Sequence, residues 1–212
     1  MNHQSSKNAA PVSFLKAFAG VYGHLGPSRP GMSADRVEFH GIQSYSTTNH
    51  RLYLIGTSTP SAPLAWPWPA EHVAIKGQPF WTTDPPIGHE NRRLDDLLSQ
   101  LDGKFSICIA SANGLCLATD LIGAGPVYYA PRGQRVFYAT HLGLLLWLLD
   151  ETPALNLLGA VSILISRAQI ERETQFRNIF RLGAGERLIA SRGDDDLALS
   201  TGRYADVAEV LS

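Results

Sequence analysis

Apolar residues along this chain recur mainly at strand spacing, in short runs bounded by glycine, proline and polar clusters. Leu15–Tyr22 (Leu-Lys-Ala-Phe-Ala-Gly-Val-Tyr) predicts a strand, and the Gly/Pro/Ser-rich 23–33 predicts a loop. Further strands are predicted over 36–42, 50–56 and 72–76, the last running into a turn-rich 77–88. Between them, 60–69 carries four prolines with Trp66 and Trp68 among them, which excludes a central strand because each proline lacks a ladder N–H. Leu94, Leu97, Leu98 and Leu101, spaced by three and four with Arg92, Arg93, Asp95 and Asp96 outside, predict a helix over 91–101. Strands 105–110 and 115–119 flank Asn113-Gly114, the strongest hairpin signal in the chain. A second hairpin is predicted from 127–130 and 135–139 around 131–134, then apolar helices over 141–149 and 155–165, then strands 186–190 and 197–200 around Arg192-Gly193-Asp194-Asp195-Asp196.

Hairpins, then helices, then a last hairpin predict an α+β layered domain with largely antiparallel sheets rather than a βαβ array. Residues 1–12, small and polar, are expected to be a disordered extension ahead of one domain over 13–212. If Asn113-Gly114 is a two-residue turn, Cys108 pairs with Thr119 and Cys116 with Ser111. The two sulfurs then point to opposite faces of the sheet, and no bridge joins them.

Charge narrows the partners. Lys+Arg at 18 against Asp+Glu at 19 gives a net charge of -1, so no summed positive field holds a phosphate backbone or an anionic membrane surface. The longest apolar stretch, 142–149, is far short of the roughly 20 residues of a spanning helix. The first eight residues have no apolar stretch of the signal-peptide kind, so a cytoplasmic protein is expected. His24, His40, His50, His72, His89 and His141 share no ligand spacing, so no metal site is expected. Asp194-Asp195-Asp196 lacks the glycine and distal glutamate of a calcium loop and is expected to be a solvated turn. Arg167, Arg172, Arg177 and Arg181 around Glu171 and Glu173 predict a solvent face, with a partner-facing surface as the alternative. Trp66 and Trp68 either pack an irregular loop or form an aromatic ligand groove. No Rossmann fingerprint or phosphate loop is present.

Three stretches resemble the N-terminal domain of asparagine synthetases. They are Leu101-Asp102-Gly103-Lys104-Phe105, then Ala118-Thr119-Asp120 through Gly123-Ala124-Gly125-Pro126-Val127-Tyr128-Tyr129, then Phe137-Tyr138-Ala139-Thr140. Thr174 to Leu188, with Gly185 in it, is similar to a fourth family segment, so order and spacing agree over about 90 residues. The resemblance implies a class II glutamine amidotransferase-like domain, a four-layer N-terminal-nucleophile hydrolase sandwich of two sheets between helix layers. On its own chemistry the same set, Asp120, Gly123 and Pro126 foremost, reads as shape-holding.

The departures bear on function. Phe18-Ala19-Gly20-Val21-Tyr22-Gly23 resembles the family's opening, which places Lys16 where the nucleophilic cysteine stands, behind 15 residues. That chemistry needs the nucleophile's own free α-amine as base, which a mid-chain lysine does not have. No catalytic residue is therefore assigned. Lys76-Gly77-Gln78-Pro79-Phe80-Trp81 stands in for the glutamine-holding Asn-Gly-Glu segment, and the Arg-Gly-Pro-Asp motif is absent. Gly20, Gly77, Gly103, Asp120, Gly123, Pro126, Tyr128 and Gly185 are kept as structural motif residues.

This divergent form is similar to the asparagine-synthetase-like proteins that close internal amides, the beta-lactam synthetases and lasso-peptide cyclases. The resemblance implies a catalytically degenerate domain that serves as scaffold or docking partner for an ATP-dependent synthetase half, with a peptide as candidate substrate. No cofactor is expected in this chain, which has no Ser-Gly-Gly-x-Asp-Ser pyrophosphate loop. The alternatives are a glutamine-hydrolysing asparagine synthetase domain and a chain processed ahead of Ser13 to expose a hydroxyl nucleophile.

Overall fold

In the computed structural model, described over residues 12–24, 42–46, 49–57, 72–82, 94–111, 114–166, 172–193 and 196–205, strands predominate. In chain order these are β1 (Val12–Gly23), β2 (Ile42–Ser46), β3 (His50–Thr57), β4 (His72–Trp81), helix α1 (Leu94–Leu98), β5 (Leu101–Ser111) and β6 (Gly114–Thr119). Next come β7 (Tyr128–Arg132), β8 (Arg135–Ala139), helices α2 (Leu142–Leu149) and α3 (Leu157–Ser166), β9 (Phe180–Arg181), β10 (Glu186–Arg192) and β11 (Leu197–Arg203).

The long strand β1 belongs to two sheets. Its first residues, Val12–Leu15, run parallel to β4, while Leu15–Tyr22 pair antiparallel with β3 and Ala19–Gly23 with β8. One sheet is therefore β11-β10-β6-β5-β4-β1 and the other β2-β3-β1-β8-β7-β9, antiparallel apart from the β1/β4 contact. Alternation of side chains sorts the core into layers. Phe18, Leu52, Leu54, Ala74, Cys108, Leu117, Tyr138 and Leu188 fill the space between the sheets. Val73, Ile75, Phe105, Ile107, Ile109 and Ala118 face the other way, onto Leu98 of α1 and Tyr204. Ala19, Val21, Tyr53, Phe137 and Ala139 face α2 through Leu145, Leu148 and Leu149. The architecture is thus the expected α+β four-layer sandwich, helix, sheet, sheet, helix.

Several boundaries move. Among the described residues the 91–101 helix ends with α1 at Leu98, because Leu101 is the buried first residue of β5 and pairs with Trp81. Residues 77–81, read as turn, continue β4 opposite Leu101–Phe105. Of the strand expected over 36–42, Ile42 alone lies among the described residues, as the first residue of β2. Pro131 and Arg132 belong to β7, leaving Gly133-Gln134 as the turn. The apolar α2 is half-sunk into the core, with Trp147 edge-on to Tyr53 at 5.8 Å. The proline-rich 60–69 with Trp66 and Trp68, residues 1–11 of the extension expected over 1–12, His40, His89, Arg167, Glu171, Asp194 and Asp195 lie outside the described residues, while Val12 begins β1.

The β5/β6 register is Ser111↔Gly114, one residue earlier than a turn at Asn113-Gly114 gives, and Gly114 is the first residue of β6. Cys108 then faces Leu117 and Cys116 faces Ile109. The shift is by two in the pairing sum, so the parity survives: Cys108 lies between the sheets and Cys116 in the outer layer beneath α1, both free. Burial pushes the Cys108 thiol up to about 12, against a weaker opposing pull from its hydrogen bond with Tyr138, and burial pushes Cys116 up as well. A thiol reagent should therefore count none in the native protein and two after denaturation without reductant. One fast-reacting native thiol would contradict this placement.

Candidate functional site

The residues matched to the family's nucleophile and glutamine-holding segments lie at the junction where β1 passes from one sheet to the other, the mouth of the candidate site. Leu15 is opposite Thr57 on β3 and Lys76 on β4, and Lys76 is opposite Ser106 on β5. Lys16 is exposed, its aliphatic stem lying along Gly56, where a Cβ would come 3.1 Å from its Cδ. Ser13, the alternative nucleophile, sits inside β1 opposite Ala74.

The mouth is basic. The Lys76 ammonium donates to His141 Nε2 at 3.4 Å across 65 residues of sequence. Burial first and the Lys76 charge second hold His141 below its ordinary value, which keeps its imidazole an acceptor. Lys76 is itself pushed down, by burial and then by Lys104. The hydroxyls beside it are already engaged: Thr140 Oγ1 accepts from Phe18 N at 3.2 Å, and Ser106 Oγ donates to the Pro126 carbonyl at 3.4 Å. The Thr140 contacts, with Thr140 N donating to Phe18 O at 2.9 Å, clamp the end of β8 onto β1. Lys76 with His141, and Lys104 near them, favour an anionic group, and the Thr140 and Ser106 hydroxyls are engaged with the backbone. Nothing in the sequence marks the Lys76–His141 pair, since only the β4 and β8 topology brings the two residues together.

The motif residues form the frame behind this mouth. Asp120 is fully buried, and its carboxylate accepts from four backbone N–H groups: Phe105 at 3.1 Å, Ile122 at 3.1 Å, Ala124 at 2.9 Å and Gly125 at 2.7 Å. Its carbonyl accepts from Gly123 and Gly185, coupling the 120–126 loop to the turn before β10. The Gly123 carbonyl in turn accepts from Arg181, and Tyr128 begins β7 opposite Ala139. Gly77, at φ 109°, lies so close to Lys104 that a Cβ would fall 2.1 Å from its carbonyl oxygen, and Gly103 opposes Pro79 in the same ladder. Gly20 leaves room between the sheets for Tyr138, whose hydroxyl would meet a Cβ at 2.4 Å.

Two features go beyond the sequence reading. Behind Gly20, the Tyr138 hydroxyl hydrogen-bonds His50 Nε2 at 2.5 Å and meets Cys108 Sγ at 3.4 Å, a polar chain inside the inter-sheet core. Of the arginines expected on a solvent face, Arg181 donates to the Gly123 carbonyl and Arg172 grips Glu186 with bonds of 3.0 and 2.8 Å and Thr201 at 2.6 Å. The Arg172–Glu186 pair lines a cleft of about 590 Å³ with Tyr129, Glu173, Phe180 and Arg203. Among the described residues no group of three or more His, Cys, Asp or Glu side chains is placed to hold a metal, and no helix is long and apolar enough to cross a membrane.

No protein-family model and no curated protein matches the chain. Among solved structures it is similar to glutamine phosphoribosylpyrophosphate amidotransferase from B. subtilis, complexed with ADP and GMP, at 11% identity and a TM-score of 0.45 over 89% of this chain and 49% of that one. It is also similar to an allosteric regulatory enzyme of purine biosynthesis, at 10% identity and a TM-score of 0.46 over 90% of this chain and 43% of that one. The chain thus spans about half the length of these two matches or less.

Proposed function

We propose that this chain is a catalytically silent, class II glutamine amidotransferase-like domain of an asparagine-synthetase-like system. In this reading it serves as scaffold or docking partner for an ATP-dependent synthetase half that forms an amide, with a lasso-peptide or beta-lactam type of ring closure as the chemistry served. One observation carries the reading. Lys16 sits within a continuous strand whose preceding residues, Val12–Leu15, are laddered to β4, so its α-nitrogen is a peptide nitrogen held in a sheet. An N-terminal nucleophile needs that nitrogen as a free amine beside its own side chain, with room for a substrate carbonyl. The mouth offers instead an ammonium hydrogen-bonded to an imidazole, which suits holding an anionic group on a partner or peptide better than attacking an amide.

The test is ammonia release from glutamine by the purified protein, run beside Lys16→Met. No turnover above buffer is expected. The variant should keep the melting temperature of the parent, because the exposed Lys16 side chain gives up only its contact along Gly56. Turnover blocked by a thiol or amine reagent, or a drop of about a hundredfold or more in any measured activity on Lys16→Met, would return the chain to the glutamine-hydrolysing reading.

A further inference from the structure

Helix α3 is built the wrong way round for a surface helix. Such a helix turns its apolar stripe inward and its polar face to water. In α3 the buried positions are the small Gly159 and Ser162, and the attachment to the rest of the chain is polar. Asn156 donates to Glu173 Oε2 at 2.6 Å and to the Thr174 carbonyl at 3.1 Å. Gly159 approaches that carbonyl so closely that a Cβ would lie 2.0 Å from the oxygen. Five of its six large apolar side chains are exposed, Leu157, Leu158, Val161, Leu164 and Ile165, the last two at 80% and 81%, with Ile163 half-buried. No charged residue occurs from 152 through 166. With Leu155, also exposed, the face amounts to on the order of 700 Å² of apolar surface, more than the largest patch of most monomers and close to the roughly 800 Å² that each partner buries in a standard interface.

The pattern also says what covers it. Counted from Val161, the outward residues fall at minus four, minus three, plus three and plus four, so the stripe reads the same in both directions. The central side chain is the smallest and, at 39%, the least exposed of them. A two-fold axis through Val161, across the helix, sets Leu157 and Leu158 of one copy against Ile165 and Leu164 of the other. The 157–161–165 row is an i, i+4 ridge of the kind that interdigitates with its own copy. With no charge on the face, nothing steers or selects a differently charged partner. We propose that α3 is the two-fold interface of a homodimer in which two copies of the helix cross antiparallel at Val161.

The experiment uses the full chain. Light scattering at micromolar concentration should give twice 23.1 kDa. Leu164→Asp should weaken association by roughly a hundredfold or more, by burying an unpaired carboxylate in the interface, while leaving circular dichroism and melting of the protomer unchanged. If that variant does not fold, Ile165→Lys serves in its place. A short bismaleimide reads the register, because Cys108 and Cys116 are buried and an added cysteine is the accessible thiol. Val161→Cys should cross-link to itself efficiently, and Leu164→Cys, which faces Leu158 of the other copy, should not. A monomer, a dimer indifferent to Leu164→Asp, efficient self-linking of Leu164→Cys, or a chain that is monomeric alone and uses α3 only to bind a synthetase chain would each overturn the homodimer. The last of these would leave the docking reading standing.

Discussion

Asp120→Ala is expected to lower stability by about 4 kcal/mol, a large share of the roughly 5–15 kcal/mol by which domains are usually stable. The Phe105 and Gly125 N–H groups are buried and lose their only acceptor, while those of Ile122 and Ala124 lie nearer the surface, where water replaces the carboxylate. The loss spreads, because the loop held by Asp120 supports the Gly185 turn through the Asp120 carbonyl and receives Arg181 on the Gly123 carbonyl. Asp120→Asn keeps one acceptor oxygen but turns an NH2 group toward two N–H donors, so it should recover less than half of the loss. Urea unfolding of the three proteins is the measurement, and a drop in melting temperature of about 10 °C for the alanine variant is the thermal counterpart. An alanine variant within about 1 kcal/mol of the parent would show that the loop is held by its glycines and not by the carboxylate.

What the sequence made legible follows from how locally each feature is encoded. Strands 15–22, 105–110 and 115–119 were readable as short, nearly continuous apolar runs, because each face of those strands meets a core. Parity made the separation of Cys108 from Cys116 robust even though the turn was misplaced by one residue. The 91–101 helix was overextended because Leu101 fits the helical spacing and the strand equally well, and only its pairing with Trp81 decides between them. For the site, the sequence supplied Lys16 and the motif residues but not the company they keep. Lys76–His141 and His50–Tyr138–Cys108 join residues from different strands, and no spacing along the chain encodes which strands become neighbours. The outward stripe of α3 could be seen as apolar but not as exposed, since the inward role of Gly159 depends on where the Thr174 carbonyl lies.

The protein should lose stability as the pH falls from about 6.5 toward 4, and His50 should account for a large share of the loss. Burial, with a smaller contribution from the nearby His72, lowers His50 to about 4 in the folded chain, whereas the unfolded chain titrates near the ordinary value of 6.5. Between those two values the unfolded state binds the extra proton and the folded state does not, so stability is full above 6.5, declines through the window, and loses nothing further from His50 below about 4. A shift of that size corresponds to about 3 kcal/mol. The surroundings explain the resistance to protonation: His50 Nε2 hydrogen-bonds the Tyr138 hydroxyl, which also meets Cys108 Sγ, and an imidazolium there would carry its charge into a buried, largely apolar layer. Tyr22 packs edge-on against the same ring at 6.1 Å. His72 and His141 are also held low and add to the slope, so the measurement is the difference between the parent and His50→Gln, which keeps an acceptor for Tyr138 but cannot titrate. Unfolding free energies of the two proteins, compared between pH 7 and pH 4, should converge by about 2 to 3 kcal/mol as the pH falls. Parallel curves over that interval would mean that His50 takes up its proton in the folded state as readily as in the unfolded one, and that the inter-sheet layer admits a charge.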